Sequence, residues 1–282
     1  MNLEKIIYRD INSLATDLLI SLDYKVDKKN SSFLQLMNLN HLLIADIPRK
    51  ISFSKKFKLP PKYEEGFQLL SKKCESGTGG LFQHQSRKLF NGNAIDLMFC
   101  DFGIHHLHLG VEEDLRHKRM MQGTEEVVFA YLNEEEIFFI KIANHGEWHL
   151  KNNLEILHRE RPDLIQHRVV SGLIGENLKD EEILALRKNG YTYFLDIDGT
   201  CYMPEEIWGG KNIMKGHAYF IQLKYKIEKI IEEQIQSIPG IQKLIDNEDV
   251  DIKLSGLDFN KFKYFYFDLI ISGNLKQYKV FL

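Results

Sequence analysis

Cysteine is scarce in this 282-residue chain. Cys74, Cys100 and Cys201 stand far apart, odd in number and without a CxxC pair, so neither a disulfide framework nor a thiolate zinc site is indicated. Long apolar runs are also lacking. Residues 18–20 and 137–140 fall far short of the ~20 residues of a membrane helix, and the opening residues have no apolar leader core. A cytosolic protein, without a membrane partner, is expected. Net charge is nearly absent, with 37 Lys and Arg against 40 Asp and Glu. That balance excludes a chain that coats nucleic acid nonspecifically and leaves room for a local basic groove. The glycine-rich stretches at 76–80 and 209–212 have neither the G-x4-GK[ST] nor the G-x-G-x-x-G spacing that cradles phosphates, so no nucleotide cofactor is expected. What is present is 44% hydrophobic and 11% aromatic residues, ample for a core and too much for a disordered chain.

Patterning predicts an α+β class: a central antiparallel sheet with packed helices, and a further α+β part at the C-terminus. Leu14, Leu18, Leu19 and Leu22 repeat at helical steps, as do Tyr63, Phe67, Leu70 and Cys74. Residues 33–44 and 51–57 read as strand-like, and 81–90 as a short helix. Apolar, β-branched and aromatic runs at 95–100, 104–109, 127–132 and 136–142 read as strands, the last two joined by a hairpin at 133–135. Helices are expected at 150–161, 180–188 and 217–237, a hairpin across Asp198-Gly199, and strands at 250–254, 264–271 and 278–282. The expected division is 1–61, 62–162 and 163–282.

Nine of the eleven histidines lie between positions 84 and 167. On the strand at 104–109, alternation places His106 and His108 on one face and His105 on the other. The strand at 136–142 runs on towards His145, Trp148 and His149, and Arg116, His117, Lys118 and Arg119 form a compact basic patch between them. Imidazoles titrate near neutrality and exchange protons, while Lys141, Arg116 or Arg119 can hold a phosphate. Such a set suits metal-independent RNA cleavage by attack of the ribose 2′-hydroxyl, with His106, His108 and His145 as acids and bases, Lys141 and Arg119 as catalytic cations, Arg116 on the RNA and Trp148 stacking on a base. Two other readings of the same residues stand beside it. The histidines can be structural parts of a noncatalytic nucleic-acid or protein-binding subunit. Alternatively, His106, His108 and His145 with Asp96 or Asp101 can supply metal ligands for a phosphodiesterase or nuclease.

In its order of parts the stretch from 86 to 150 resembles the RelE/ParE-like toxins. Phe102-Gly103-Ile104-His105-His106 is similar to the strand that follows their helices, residues 127–142 to their central hairpin, and His145-Gly146-Glu147-Trp148 to their terminal catalytic stretch. The resemblance implies an mRNA-cleaving toxin or phage-defence effector, acting at the ribosome or on free RNA and held by an antitoxin or other regulatory protein. It covers about a quarter of the chain.

Other motifs carry less. Residues 194–200 resemble the nucleophile motif of haloacid-dehalogenase-like phosphatases, but only 82 residues follow Thr200 and no acidic pair lies beyond, so Asp198-Gly199 reads as a turn. Arg161 and His167 match an R-x5-H spacing seen in HEPN ribonucleases, with Pro162 inside it. The lysines around Phe53 and Phe57 read as guards of an exposed strand edge.

Overall fold

The computed structural model describes residues 3–92, 96–149, 151–189, 191–204, 214–236, 250–257, 264–271 and 273–281. In chain order the elements begin with α1 (Leu3–Ser21), α2 (Ser32–Leu42), β1 (Lys50–Phe53), α3 (Glu64–Ser76), α4 (Leu97–Phe102) and β2 (Ile104–His108). A small ribbon follows, β3 (Glu113–Asp114) and β4 (His117–Met121), and then the long hairpin β5 (Glu126–Leu132) and β6 (Glu136–Asn144). Next come α5 (Asn152–Glu160), α6 (Pro162–Ile165), α7 (Asp180–Lys188), β7 (Leu195–Ile197) and β8 (Thr200–Tyr202). The chain closes with α8 (Met214–Gln236), β9 (Val250–Leu257), β10 (Tyr264–Ile271) and β11 (Asn274–Phe281). The class is α+β.

Contacts divide the chain into two units, one of residues 41–89 and 93–211, the other of residues 1–40, 90–92 and 212–282. This differs from boundaries at 61 and 162. β1 pairs in parallel with β6, Ile51 opposite Ile137, which draws part of the N-terminal stretch into the first unit. In the second unit the Leu254 amide donates to the Asp10 carboxylate at 3.1 Å, a bond between opposite ends of the sequence. Such long-range pairings leave no local trace in composition.

The first unit is built on a sheet in the order β1-β6-β5-β2. It is mixed rather than wholly antiparallel, because β1 alone runs parallel to its neighbour. The β5–β6 turn is closed by the Asn133 side chain, which accepts from the Glu135 and Glu136 amides at 2.8 Å each. One face buries Ile104, Phe129 and Phe138 with Met98 and Phe102 of α4 and Leu154 and Leu157 of α5. The other buries Leu107, Val128, Ala130 and Phe139 under Phe67, Leu70 and Cys74 of α3. A Cβ at Gly66 of α3 would lie 1.9 Å from the Leu109 carbonyl oxygen, so only glycine lets the helix approach this strand. Gly77, at φ +63°, ends α3 in the left-handed conformation that glycine adopts without penalty.

Three expected strands or helices change type. Residues 97–102 form α4 rather than a strand, because the Asp96 side chain caps it by accepting from the Phe99 amide at 3.1 Å. Residues 32–42 are helical, with Phe33, Leu36 and Leu39 buried at three-residue steps. Residues 81–90 form two short 3-10 turns. The Asp198-Gly199 hairpin is present as β7 and β8. Arg159 binds Asp198 there at 3.0 Å, and Arg161 is occupied by Glu136 and Asp163 at 2.5 and 2.7 Å. The Phe53 and Phe57 rings lie tilted against Phe67 and Phe139; Phe53, at the end of β1, stays exposed, while Phe57 is half-buried at the margin of the core.

In the second unit α1 buries Ile7, Ile11, Ala15 and Leu19, with Leu14 and Leu18 at the margin of that stripe. Strands β11-β10-β9 form an antiparallel meander, and α8 buries Leu223 and Ile227. The side chains of Ile231 and Ile235, farther along the helix expected at 217–237, lie outside the described residues. Among the described residues no helix is long and apolar enough to cross a membrane.

Candidate functional site

The site grows from the pleat of the sheet. Along β2, Ile104, His106 and His108 point to one face and His105 and Leu107 to the other. His106 sits opposite Phe129, and Phe129 opposite Lys141; His108 sits opposite Val127, and Val127 opposite Ala143. An irregularity between Phe129 and Ala130 inserts Ile140 as a bulge in β6, which leaves Lys141 and Ala143 on the histidine face. His145 follows at the strand end, its amide bonded to the Glu125 carbonyl at 3.0 Å.

The structure brings the three expected histidines together. The His145 ring is stacked 5.3 Å from that of His108, nearly parallel at 18°, and lies 5.1 Å edge-on from that of His106. His106 and His108 are 6.3 Å apart. Each imidazole has a different environment. His106 Nδ1 lies 3.1 Å from Asp96 Oδ2; the carboxylate sits off the line of a ring N–H, so this is an ion-pair contact rather than a formed hydrogen bond. Burial alone would lower the His106 pKa, but the Asp96 charge outweighs it and raises it above the ordinary value. Asp96 is correspondingly held below the usual carboxylate range, His106 overcoming the cost of its burial.

His108 is the opposite case. Its Nδ1 accepts from the Thr124 amide at 3.0 Å, which places the proton of the neutral ring on Nε2. Burial, with His106 and His145 nearby, pushes its pKa down to about 3. A neutral ring with a protonated Nε2 is a hydrogen-bond donor and not a base at neutral pH. His108 therefore departs from the acid-base role expected of it. His145, half-buried, is lowered first by desolvation and then by the charges of His106 and Lys88. Behind them the buried His84 donates from Nδ1 to the His108 carbonyl at 2.8 Å, and burial lowers it to about 4. The His105 ring lies tilted against Phe99 at 4.4 Å on the far face, with burial lowering its pKa to about 3.

His108 and His145 open into a cleft of about 310 Å³ that is also lined by Gln85, Ser86, Arg87, Lys88, Asp114, Arg116, Met121 and Gly123. Arg116, expected on RNA, is in this lining. Arg119 and Lys141, expected as phosphate-binding cations, are not, and neither is His106, expected as an acid-base group. Lys141 is 15% exposed, lies 3.5 Å from Glu147 and covers the Phe129 ring, so its charge is matched by the turn that follows β6. Arg119 sits on β4, outside the lining. The side chains of Trp148 and His149 lie outside the described residues. Asp101, a candidate metal ligand, faces the core against Arg187 and Tyr193. Among the described residues no group of three or more His, Cys, Asp or Glu side chains is arranged to hold a metal ion.

Sequence reading missed Arg87, Lys88 and Asp114. The first two sit in a 3-10 turn and the third in a two-residue strand, elements too short to leave a periodic signal. Asp96 was visible only as a possible ligand, although an aspartate before an apolar run is a helix-cap signal. In comparisons with known proteins, no family model, no curated protein and no solved structure matches this chain.

Proposed function

We propose that the protein is a metal-independent endoribonuclease of the cytosol, a toxin or defence effector of the kind implied by its RelE/ParE-like order of parts, with RNA as substrate and an antitoxin or similar protein as regulator. The observation that carries the reading is the shared cleft: His145 and His108 line one concavity with Arg87, Lys88 and Arg116. Acid, base and phosphate-binding groups must reach one substrate, and divergent pKa values within one cluster divide the roles. His145, lowered and half-buried, takes the proton of the ribose 2′-hydroxyl. The 2′-oxygen forms its bond to phosphorus as the bond to the 5′-oxygen breaks. The Nε2–H of His108 and the three cations face the charge that grows on the phosphorane. Water in the open cleft protonates the departing 5′-oxygen; His106, raised by Asp96 and outside the lining, acts through its charge on the neighbouring His145 ring 5.1 Å away. The products are a 2′,3′-cyclic phosphate and a 5′-hydroxyl.

The neutral lock on His108 favours a second reading, a cleft that binds RNA without cutting it. The test is incubation of total RNA and of translating ribosomes with wild type, His145→Ala and His106→Asn, each with and without EDTA. Cleavage that leaves cyclic phosphate ends, survives EDTA and is lost in His145→Ala is the expected result. Binding without cleavage selects the second reading, and cleavage unchanged in His145→Ala overturns the assignment of the site.

A further inference from the structure

We infer that Arg87 and Arg116, braced by Asp114, form a two-pronged clamp for the phosphate of a single-stranded polynucleotide, and that this clamp binds whether or not the cleft cleaves. The identity of the ligand rests on the ribonuclease reading; the anion site does not. Asp114 is 3% exposed, and its two oxygens serve two arginines. Oδ2 accepts from Arg87 Nη1 at 2.9 Å. Oδ1 accepts from the Arg116 amide at 2.7 Å, with Arg116 Nε 3.5 Å away. Arg87 comes from the 3-10 turn Arg87–Phe90 and Arg116 from the turn between β3 and β4. One buried carboxylate thus orients two guanidiniums that approach the cleft from separate parts of the chain.

Neither arginine is consumed by this contact. Their side chains remain 41% and 69% exposed, so nitrogens not turned to Asp114 stay open to solvent and the cleft. With Lys88, three cations face one carboxylate in a concave lining, which leaves a positive excess beside His108 and His145. A guanidinium fork matches two phosphate oxygens at once, and an arginine already oriented loses less side-chain freedom when the ligand arrives. A cleft of about 310 Å³ is at the lower end of small-ligand sites, which run from roughly 300 to 1,000 Å³. It takes one phosphate with its sugar and leaves the rest of a chain outside.

The test uses probes that this chemistry does not cut: inorganic phosphate and a fluorescent 2′-O-methyl oligouridylate. In the wild type, phosphate is expected to shift the imidazole NMR signals of His108 and His145. Arg87→Gln with Arg116→Gln, both exposed and so compatible with folding, is expected to weaken oligonucleotide binding by about tenfold or more at low salt. Asp114→Asn, which frees the arginines but keeps them, is expected to weaken it by less. Binding by the double variant within about twofold of wild type, or phosphate that moves neither histidine signal, overturns the clamp. Binding lost in the double variant of a protein that never cleaves RNA keeps the clamp and removes the ribonuclease. Cleavage by wild type, with binding unchanged in the double variant, removes the clamp alone.

Discussion

Two polar clusters in the same unit put charged side chains to opposite uses. In the first, Arg187 Nε bonds to the Asp101 carboxylate and to the Tyr193 hydroxyl, Tyr193 donates to Asp101 at 2.8 Å, and Arg168 reaches the Asp101 carbonyl at 3.0 Å. The Arg187 and Asp101 side chains are 2% and 7% exposed. In the second, Asp96, His106, His108 and His145 lie at one end of the sheet, and two of the imidazoles face a cleft with cations around it. Charge sealed among its own partners holds a fold together. Charge left with open capacity beside solvent is available to a ligand.

The comparison is broken most severely at the sealed cluster. Arg187→Ala leaves the Asp101 carboxylate buried without its counter-charge, and a loss of about 3–5 kcal/mol in denaturant unfolding is expected; a loss below about 1 kcal/mol would show that the cluster is not a sealed ion pair. His145→Ala should do the reverse, with stability within about 0.5 kcal/mol of wild type and RNA cleavage reduced by about 10²–10⁴-fold. A large stability loss in that variant would place His145 among the structural residues. Between these lies a packing test at Gly66, where the added methyl of Gly66→Ala meets the Leu109 carbonyl. A destabilisation of about 1–3 kcal/mol is expected, and a neutral result would mean that α3 moves freely on the sheet.

The last test is read from pH. His84, His105 and His108 are held near 4, 3 and 3 by burial, below the ordinary value near 6.5 of the unfolded chain. Between those values the unfolded state binds more protons than the folded one, so stability is full above about 6.5 and falls with acidification. The fall is up to about 1.4 kcal/mol per pH unit for each histidine. His106, raised by Asp96, has the opposite sign: its contribution is complete below the unfolded pKa and is lost as pH rises through the folded one. Urea midpoints at pH 7, 6 and 5 should therefore decline. Asp96→Asn should remove the contribution of the His106 imidazolium together with that of the depressed Asp96 carboxylate, visible as a flatter stability curve above the ordinary histidine pKa. A midpoint that rises on acidification would refute the neutral burial of the three.

Much of this was written in local patterns. Alternation along residues 104–108 puts His106 and His108 on one face, and the strand and turn residues of 126–144 give the hairpin that carries Lys141 and leads to His145. The sites that escaped are non-local or short. Asp96 turned residues 97–102 from strand to helix through one capping bond. Lys141 lost its expected role because Glu147, six residues on, lies beside it. His108 lost its acid-base role to an amide sixteen residues away.

By itself the amino-acid sequence determined the α+β class, most of the strands and helices and the facing of the histidines, because period, turn chemistry and capping act within a few residues. Only the tertiary structure decided which parallel partner β1 takes, that Asp101 faces inward while Asp96 meets His106, and that Arg87 and Arg116 share one carboxylate. Those outcomes depend on which distant segments the burial of apolar surface brings together. Once groups are removed from water, the charges and hydrogen bonds of their new neighbours set their protonation and direction.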